Sequence, residues 1–337
     1  MMENRTQEKK LISVVVPCHN EEENIERTHR EIKRVLSSLS AYDYEIVFVD
    51  NGSTDRTAEL MKSIAATDPQ VTAVMLSRNF GPESSGLAGM QYARGDAVIA
   101  IAADLQDPPD LIPEFIKHWE AGYDLVLGQA VEADENQLML KIRRLFYRIM
   151  NRISYVDCPV GVTGFGLIAA RVNDAVVAMP EKNRFGRGLL AWAGFRRKLV
   201  PYHKARREFG RSSYNLFSYF KHAEQGLFSF TTLPLDIITY LGIALVALSV
   251  VASVVYAFWV LAFGNPIKGS ATIFLGVMFF GGAQIFAVSI VGKYIGIIFE
   301  ETKNRPHYIV REVVTQNPAL ARDNRFNHDP NLVAKDR

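Results

Sequence analysis

Apolar runs alternate with stretches of helical spacing along the first third of the chain. Leu11 to Pro17 and Glu45 to Val49 are continuous runs of aliphatic and β-branched residues, the pattern of strands covered on both faces. Val71 to Leu76 is a third such run, Asp96 to Ala103 a fourth, and Leu125 to Leu127 a brief fifth. Between the first two, Asn20 to Leu39 places Ile25, Ile32, Val35, Leu36 and Leu39 on one helical face and charges on the other. A helix capped by Thr54 or Asp55 runs to about Ala66, and others cover Pro82 to Ala93 and Leu111 to Ala121. This alternation predicts an α/β domain, a mostly parallel sheet with helices on both faces.

The pattern changes further on. Gln137 to Ile153 interleaves Leu140, Leu145, Phe146, Ile149 and Met150 with Lys141, Arg143, Arg144, Arg148 and Arg152, which suits a solvated helix or one on a membrane surface. Val160 to Ala170 is Gly-rich and apolar, and Val172 to Met179 is helical. Arg184 to Gly194 carries Arg184, Arg187 and Trp192, with Phe185 and Trp192 expected to pack or to face a membrane. Val200 to Tyr214 is polar and basic, and Leu216 to Leu233 reads as an aromatic-rich interfacial helix. Charge then nearly vanishes: Ile237 to Phe263 and Ala271 to Val291 carry none, and each exceeds the roughly 20 residues that span a bilayer.

The predicted organisation is a tail at 1–10, an α/β domain at 11–214, an interfacial helix at 215–234, two membrane helices at about 236–263 and 271–298, and a tail at 300–337. Lysines and arginines flank the helix pair while the loop between carries only Lys268, so both termini and the α/β domain are expected on the cytoplasmic side of the plasma (inner) membrane. Beyond Gln316 little order is expected.

The 337 residues carry a net charge of only +2, so charge implies no nucleic-acid partner. Cys18 and Cys158 give no disulfide framework, and the polar stretch Met1 to Lys10 is not expected to be a signal peptide.

Candidate chemistry gathers where strands end. The fourth run closes on Asp104-Leu105-Gln106-Asp107 before Pro108 and Pro109 forbid further pairing. Oxygen donors at the carboxyl end of a buried strand suit a ligand site and a hard cation, Mg²⁺ or Mn²⁺, which also holds substrate phosphates. Pro17-Cys18-His19-Asn20-Glu21-Glu22 closes the first run and Asp50-Asn51-Gly52-Ser53 the second. Three polar clusters at the carboxyl ends of strands of one sheet predict a crevice able to take a base, a ribose and a metal-bound pyrophosphate. No Walker loop, Gly-x-Gly-x-x-Gly, Gly-x-Ser-x-Gly or His-Glu-x-x-His is present. His118, His203 and His222 are scattered and read as surface residues, and Cys18 lacks a paired base.

The runs Val-Pro-Cys-His-Asn-Glu-Glu, Asp-Asn-Gly-Ser-Thr-Asp, Leu-Ser-Arg-Asn-Phe-Gly, Ala-Asp-Leu-Gln-Asp-Pro-Pro and Arg-Glu-Phe-Gly-Arg-Ser-Ser-Tyr, with the two-span tail ending Gly-Lys-Tyr-Ile-Gly-Ile-Ile-Phe-Glu-Glu-Thr-Lys-Asn-Arg-Pro, resemble the polyprenyl-phosphate glycosyltransferases of family 2, of GT-A fold. Dolichol-phosphate mannosyltransferase and the bactoprenol glucosyltransferases of O-antigen modification belong to that group. The resemblance covers about Leu11 to Arg311. It implies an inverting transfer from a nucleoside-diphosphate sugar, a UDP-sugar such as UDP-glucose, to undecaprenyl phosphate for cell-envelope glycan modification. Pro17, His19 and Glu21 would line the base and ribose pocket, with Asp50 against the base. Asp104 and Gln106 would hold the cation on the diphosphate, and Arg207, with Arg206, Arg211 and Ser213, would take the acceptor phosphate. The group's biology also implies a small membrane flippase as partner, and the oligomeric state, a homo-oligomer included, is left open.

Some positions depart from the family pattern. Ala102 stands for the first Asp of Asp-x-Asp, Asn51 for the second Asp of Asp-Asp-Gly-Ser, Gly164 for an aspartate in Gly-Asp-Phe-Arg-Leu, and Ser213 for a lysine. Gln129-Ala130-Val131-Glu132-Ala133 is acidic where relatives carry arginines, and Asp157 is a candidate base only by its nearness in sequence. These losses keep open a non-catalytic homologue that binds sugar nucleotide or scaffolds a flippase; retained Asp50, Asp104, Gln106 and Arg207 oppose it. Processive synthesis is disfavoured, since Gln-x-x-Arg-Trp is missing and two spans are too few for a pore.

Overall fold

A computed structural model describes residues 9–131, 159, 161–205, 231, 233–263 and 270–317. Its centre is an eight-stranded sheet in the order β7-β5-β6-β4-β1-β2-β3-β8. β1 (Lys10–Cys18), β2 (Tyr42–Asp50), β3 (Val71–Leu76) and β4 (Ala97–Ala100) are the apolar runs. They pair in parallel, with Cys18 opposite Asp50, Asp50 opposite Met75 and Val15 opposite Ala100, so all four carboxyl ends lie on one edge.

β4 stops at Ala100 rather than Ala103. The Ile101 N–H still donates to the Val15 carbonyl at 3.0 Å, but the chain then leaves the ladder and turns through Leu105 at φ 53°. β5 (Leu125–Ala130), β6 (Val162–Ala169) and β7 (Arg197–Tyr202) extend the sheet where the sequence showed a brief strand, a Gly-rich stretch and a basic segment. β6 runs antiparallel to β4 and β5, and β5 and β7 run parallel. The sheet is therefore mixed, parallel through β3-β2-β1-β4 and interrupted at β6.

Period-2 alternation sorts the core into two faces. Ile12, Val14, Val16, Ile46 and Phe48 pack with α1 (Ile25–Ser37), α2 (Thr57–Thr67) and α4 (Ile112–Glu120). Val15, Val47, Val49 and Val74 pack with Leu87, Ala88 and Tyr92 of α3 (Pro82–Tyr92). On that second face α3 comes close enough that a Cβ on Gly89 would lie 2.1 Å from Val15 Cγ1. α5 (Ala170–Val177) and α6 (Gly186–Trp192) cover β5 and β6 through Val172, Val176 and Leu189.

α7 (Leu233–Phe263) and α8 (Ser270–Thr302) are both long and apolar enough to cross a membrane. Leu241, Phe258, Leu261 and Phe286 stand exposed along them, as hydrocarbon-facing residues would. The segment 137–153 and, apart from Thr231 and Leu233, the segment 216–233, both read as amphipathic helices, lie outside the described residues.

One expectation is corrected. The segment 300–337, read as a tail, contributes β8 (Val310–Thr315), which pairs antiparallel with β3. Tyr308 just before it is buried and its hydroxyl donates to Gln91 of α3, while the Gln316 amide donates to the Ala66 carbonyl at 2.7 Å. β8 thus covers a sheet edge that would otherwise expose a row of unpaired backbone groups.

Candidate active site

Parallel pairing in register aligns the loops after β1, β2, β3 and β4 on one edge. The first two are laced together. The Asn51 N–H donates to the Cys18 carbonyl at 2.9 Å, Asn20 N to Ser53 Oγ at 3.0 Å, and Thr54 N to Asn20 Oδ1 at 2.8 Å. Glu21 N donates to Thr57 Oγ1 at 2.8 Å, and the Glu21 carboxylate accepts from Asn24 Nδ2 at 2.6 Å. Asn20 takes a left-handed φ of 55° at this crossing.

Asp50 is 1% exposed. Its Oδ1 accepts from Ser53 N at 3.0 Å, while Oδ2 has no hydrogen-bond partner among the described residues. A buried carboxylate oxygen without a donor costs on the order of 1–3 kcal/mol or more. Gly52 beside it has φ 67°, and a Cβ there would lie 2.4 Å from the Arg78 carbonyl carbon. Only glycine lets the β2 loop rest on the β3 loop.

The loop after β3 joins through Asn51. Its Nδ2 donates to Asn79 Oδ1 at 3.1 Å and its Oδ1 accepts from Phe80 N at 2.9 Å. Asn79 in turn reaches Gly81 N at 2.8 Å and His19 Nε2 at 3.1 Å. Three loops, those after β1, β2 and β3, are tied by two carboxamides.

The loop after β4 carries Asp104 and Gln106, both half-buried. Asp104 Oδ1 accepts from Gln106 N at 3.1 Å, and the Gln106 carbonyl accepts from Ala205 N at 2.9 Å. Beneath them Asp107 is 4% exposed and accepts from the Tyr202 hydroxyl, which also meets Thr163 Oγ1 at 3.1 Å. Burial pushes the Asp107 carboxyl up and the Asp104 charge adds to this, opposed by the Tyr202 bond and by Lys204. Cys18 is buried, and its thiol is pushed well up by burial, then by Glu21 and Asp50, which suits an inert core residue.

Comparison with known proteins decides the lineage. The model of glycosyl transferase family 2 matches residues 13–176. A putative glycosyltransferase, CsbB of Bacillus subtilis, is 37% identical over 93% of this chain and 95% of its own. The chain belongs to glycosyl transferase family 2. The SfII prophage-derived bactoprenol glucosyl transferase of Shigella flexneri is 37% identical over 91% of this chain and 99% of its own. A prophage bactoprenol glucosyl transferase homolog of Escherichia coli K12 is 38% identical over 90% and 99% respectively. Among solved structures, the glucosyl-3-phosphoglycerate synthase of Mycobacterium tuberculosis in complex with UDP aligns at a TM-score of 0.43 and 21% identity, over 65% of this chain and 78% of its own.

Within this family-2 glycosyltransferase the structure brings Pro17, His19, Glu21, Asp50, Asp104 and Gln106 to one edge. Arg206, Arg207, Arg211 and Ser213 lie outside the described residues, as do Asp157 and His222. Among the described residues no three His, Cys, Asp or Glu side chains form a metal-holding group. One carboxylate and one carboxamide oxygen still fit a Mg²⁺ or Mn²⁺ completed by substrate phosphate oxygens and water, the usual manner of Mg²⁺.

Asn51 is a staple rather than a lost carboxylate, because an aspartate could not donate to Asn79. Sequence reasoning gave no role to Asn79 or Tyr202 and read Asp107 only as one of the oxygen donors that close the fourth run. Asn79 stood in the Leu-Ser-Arg-Asn-Phe-Gly run and Asp107 in Ala-Asp-Leu-Gln-Asp-Pro-Pro, whereas Tyr202 is 95 residues from its partner and carried no local signal.

Proposed function

We propose that this glycosyltransferase moves a sugar, glucose or a close relative, from a UDP-sugar to undecaprenyl phosphate at the cytoplasmic face of the plasma membrane. What carries the reading is similarity along nearly the whole length, 91% of this chain and 99% of a Shigella flexneri bactoprenol glucosyl transferase, so that the α7–α8 pair lies within it as well as the α/β domain.

In this reading Pro17, His19 and Glu21 line the nucleotide pocket, and the unpartnered Asp50 Oδ2 accepts an N–H of the base. Asp104 and Gln106 hold Mg²⁺ or Mn²⁺, which supplies Lewis-acid neutralisation of the departing diphosphate. Arg207, with Arg206, Arg211 and Ser213, positions the acceptor phosphate through bidentate, charge-assisted bonds. An oxygen of that phosphate forms the new bond to the anomeric carbon as the bond to the nucleotide diphosphate breaks, inverting configuration. The attacking oxygen is already anionic, so Gly164 need not be replaced by a general base.

The placement of β8 supports a hairpin crossing with both outer ends on the domain side, because the chain leaving α8 rejoins the sheet. The spans would keep the site within reach of an acceptor that stays in the bilayer.

The test is transfer of radiolabel from a panel of UDP- and GDP-sugars to undecaprenyl phosphate in detergent, with and without Mn²⁺. Metal-dependent label in the lipid phase, lost in Asp104→Ala, is expected. No label from any donor, with UDP binding intact, would replace this reading with a non-catalytic one.

A further inference from the structure

The segment 181–187 bridges the end of the second apolar helix and the catalytic edge. Glu301, in the last turn of α8, accepts through Oε1 from Lys182 N at 2.7 Å and Asn183 N at 3.3 Å. Arg184 is 5% exposed and pins the segment from below, donating to the Met179 carbonyl at 2.6 Å and the Val176 carbonyl at 2.8 Å. At the other end Gly186 N donates at 2.9 Å to Glu83, in the first turn of α3, which follows the Asn79 loop. The segment is thus held from α8, from α5 and from α3.

Arg187 comes next. Its NH1 donates to the Val162 carbonyl at 3.1 Å, and its guanidinium lies 5.4 Å from the Phe185 ring centroid. Val162 opens β6, and β6 runs antiparallel to β4 with Gly166 opposite Ala100. The first residues of β6 therefore stand on the edge where β4 ends, beside the Thr163–Tyr202–Asp107 chain that underlies Asp104. No carboxylate among the described residues lies within ion-pair distance of Arg187, although four other arginines, Arg34, Arg56, Arg94 and Arg171, have one. At this edge the exposed guanidinium is oriented by a ring and one carbonyl and has no anionic partner among the described residues.

We propose that Arg187 is a ligand of the acceptor phosphate, on the side of the crevice nearest the end of α8. The inference rests on the polyprenyl-phosphate reading and adds a residue to it. A guanidinium with one edge spent on a carbonyl keeps the other for two phosphate oxygens. The donor diphosphate is assigned to the Asp104 loop, which the Asp107–Tyr202–Thr163 hydrogen bonds link to the start of β6. A phosphate carried on a bilayer-bound chain arrives instead from the α8 side, to which Glu301 ties this segment.

The experiment uses the full chain in detergent, with UDP-sugar turnover measured against undecaprenyl phosphate concentration and UDP binding measured by calorimetry. Arg187→Ala is expected to raise the acceptor KM by about tenfold or more with UDP affinity within about twofold, and Arg187→Lys to recover part of the loss. Arg187→Gln keeps a donor for the Val162 carbonyl and removes the charge. A merely structural role predicts wild-type KM for it, whereas phosphate binding predicts a rise close to that of alanine. An unchanged acceptor KM in Arg187→Gln, or UDP binding weakened as much as acceptor use, would overturn the inference alone. A wild-type protein with no undecaprenyl-phosphate-dependent turnover would overturn the underlying reading and this inference with it.

Discussion

The Tyr202 hydroxyl donates to the buried Asp107 carboxylate, so the end of β7 holds the loop that presents Asp104 and Gln106. The tyrosine body packs against Phe165 at 5.6 Å between ring centroids, and Phe165 against Phe115 of α4 at 4.8 Å. The loop that carries Asp104 and Gln106 is thereby fixed by the aromatic core on which it sits.

Tyr202→Phe keeps that packing and removes the donor. Asp107 then loses a bond in a site already unfavourable to its charge, at a cost of about 1–3 kcal/mol. We expect a lower thermal midpoint and a kcat reduced about tenfold or more as the Asp104 loop loosens. An unchanged kcat beside a lowered midpoint would confine Tyr202 to a structural role.

Asn51→Asp introduces the second carboxylate of the Asp-Asp-Gly-Ser pattern, yet here it should harm. The Nδ2 donor to Asn79 is lost and a second carboxylate is placed next to Asp50, which is 1% exposed. Stability should fall by about 1–3 kcal/mol, and calorimetry should show weaker UDP binding. Tighter UDP binding in the variant would contradict the staple role.

Gly52→Ala meets the backbone of Arg78 at 2.4 Å and must hold φ 67°. Neither can relax without parting the β2 and β3 loops. A loss on the order of 2–4 kcal/mol in denaturant unfolding is expected. A wild-type midpoint would show that the two loops can separate freely.

His307, between α8 and β8, gives a pH dependence of definite sign. Burial, then Lys182 and Arg184, lowers its imidazole from 6.5 to about 4. The unfolded chain takes up this proton at a higher pH than the folded one, so stability falls as pH drops through that window. His307→Gln should flatten the fall in thermal midpoint between pH 7 and pH 4.5, by an amount worth about 1–2 kcal/mol after allowance for partial solvent screening. Parallel curves for the two proteins would show that the group titrates normally.

The sequence by itself determined the strands β1 to β4, the helices α1 to α4, the two apolar helices and the three strand-end clusters. The reason is local. A strand covered on both faces must be apolar throughout, a helix over it must repeat every three to four residues, and a hydrocarbon span must exclude charge. Pro17, Asp50 and Asp104 stand where such runs end, so their gathering on one edge follows once the runs are parallel.

Only the tertiary structure decided what joins elements distant along the chain. β8 pairs with β3 across more than 200 residues, as Thr72 meeting Thr315 shows. Its sequence, Val310 to Thr315, is half charged or polar because an edge strand is buried on little more than one side. The Tyr202–Asp107 bond, the Glu301 hold on Lys182 and the seat of Arg187 at Val162 depend likewise on strand order and register. A single polar residue with a remote partner leaves no periodic trace in the chain, and its role appears only when folding supplies the other half of the bond.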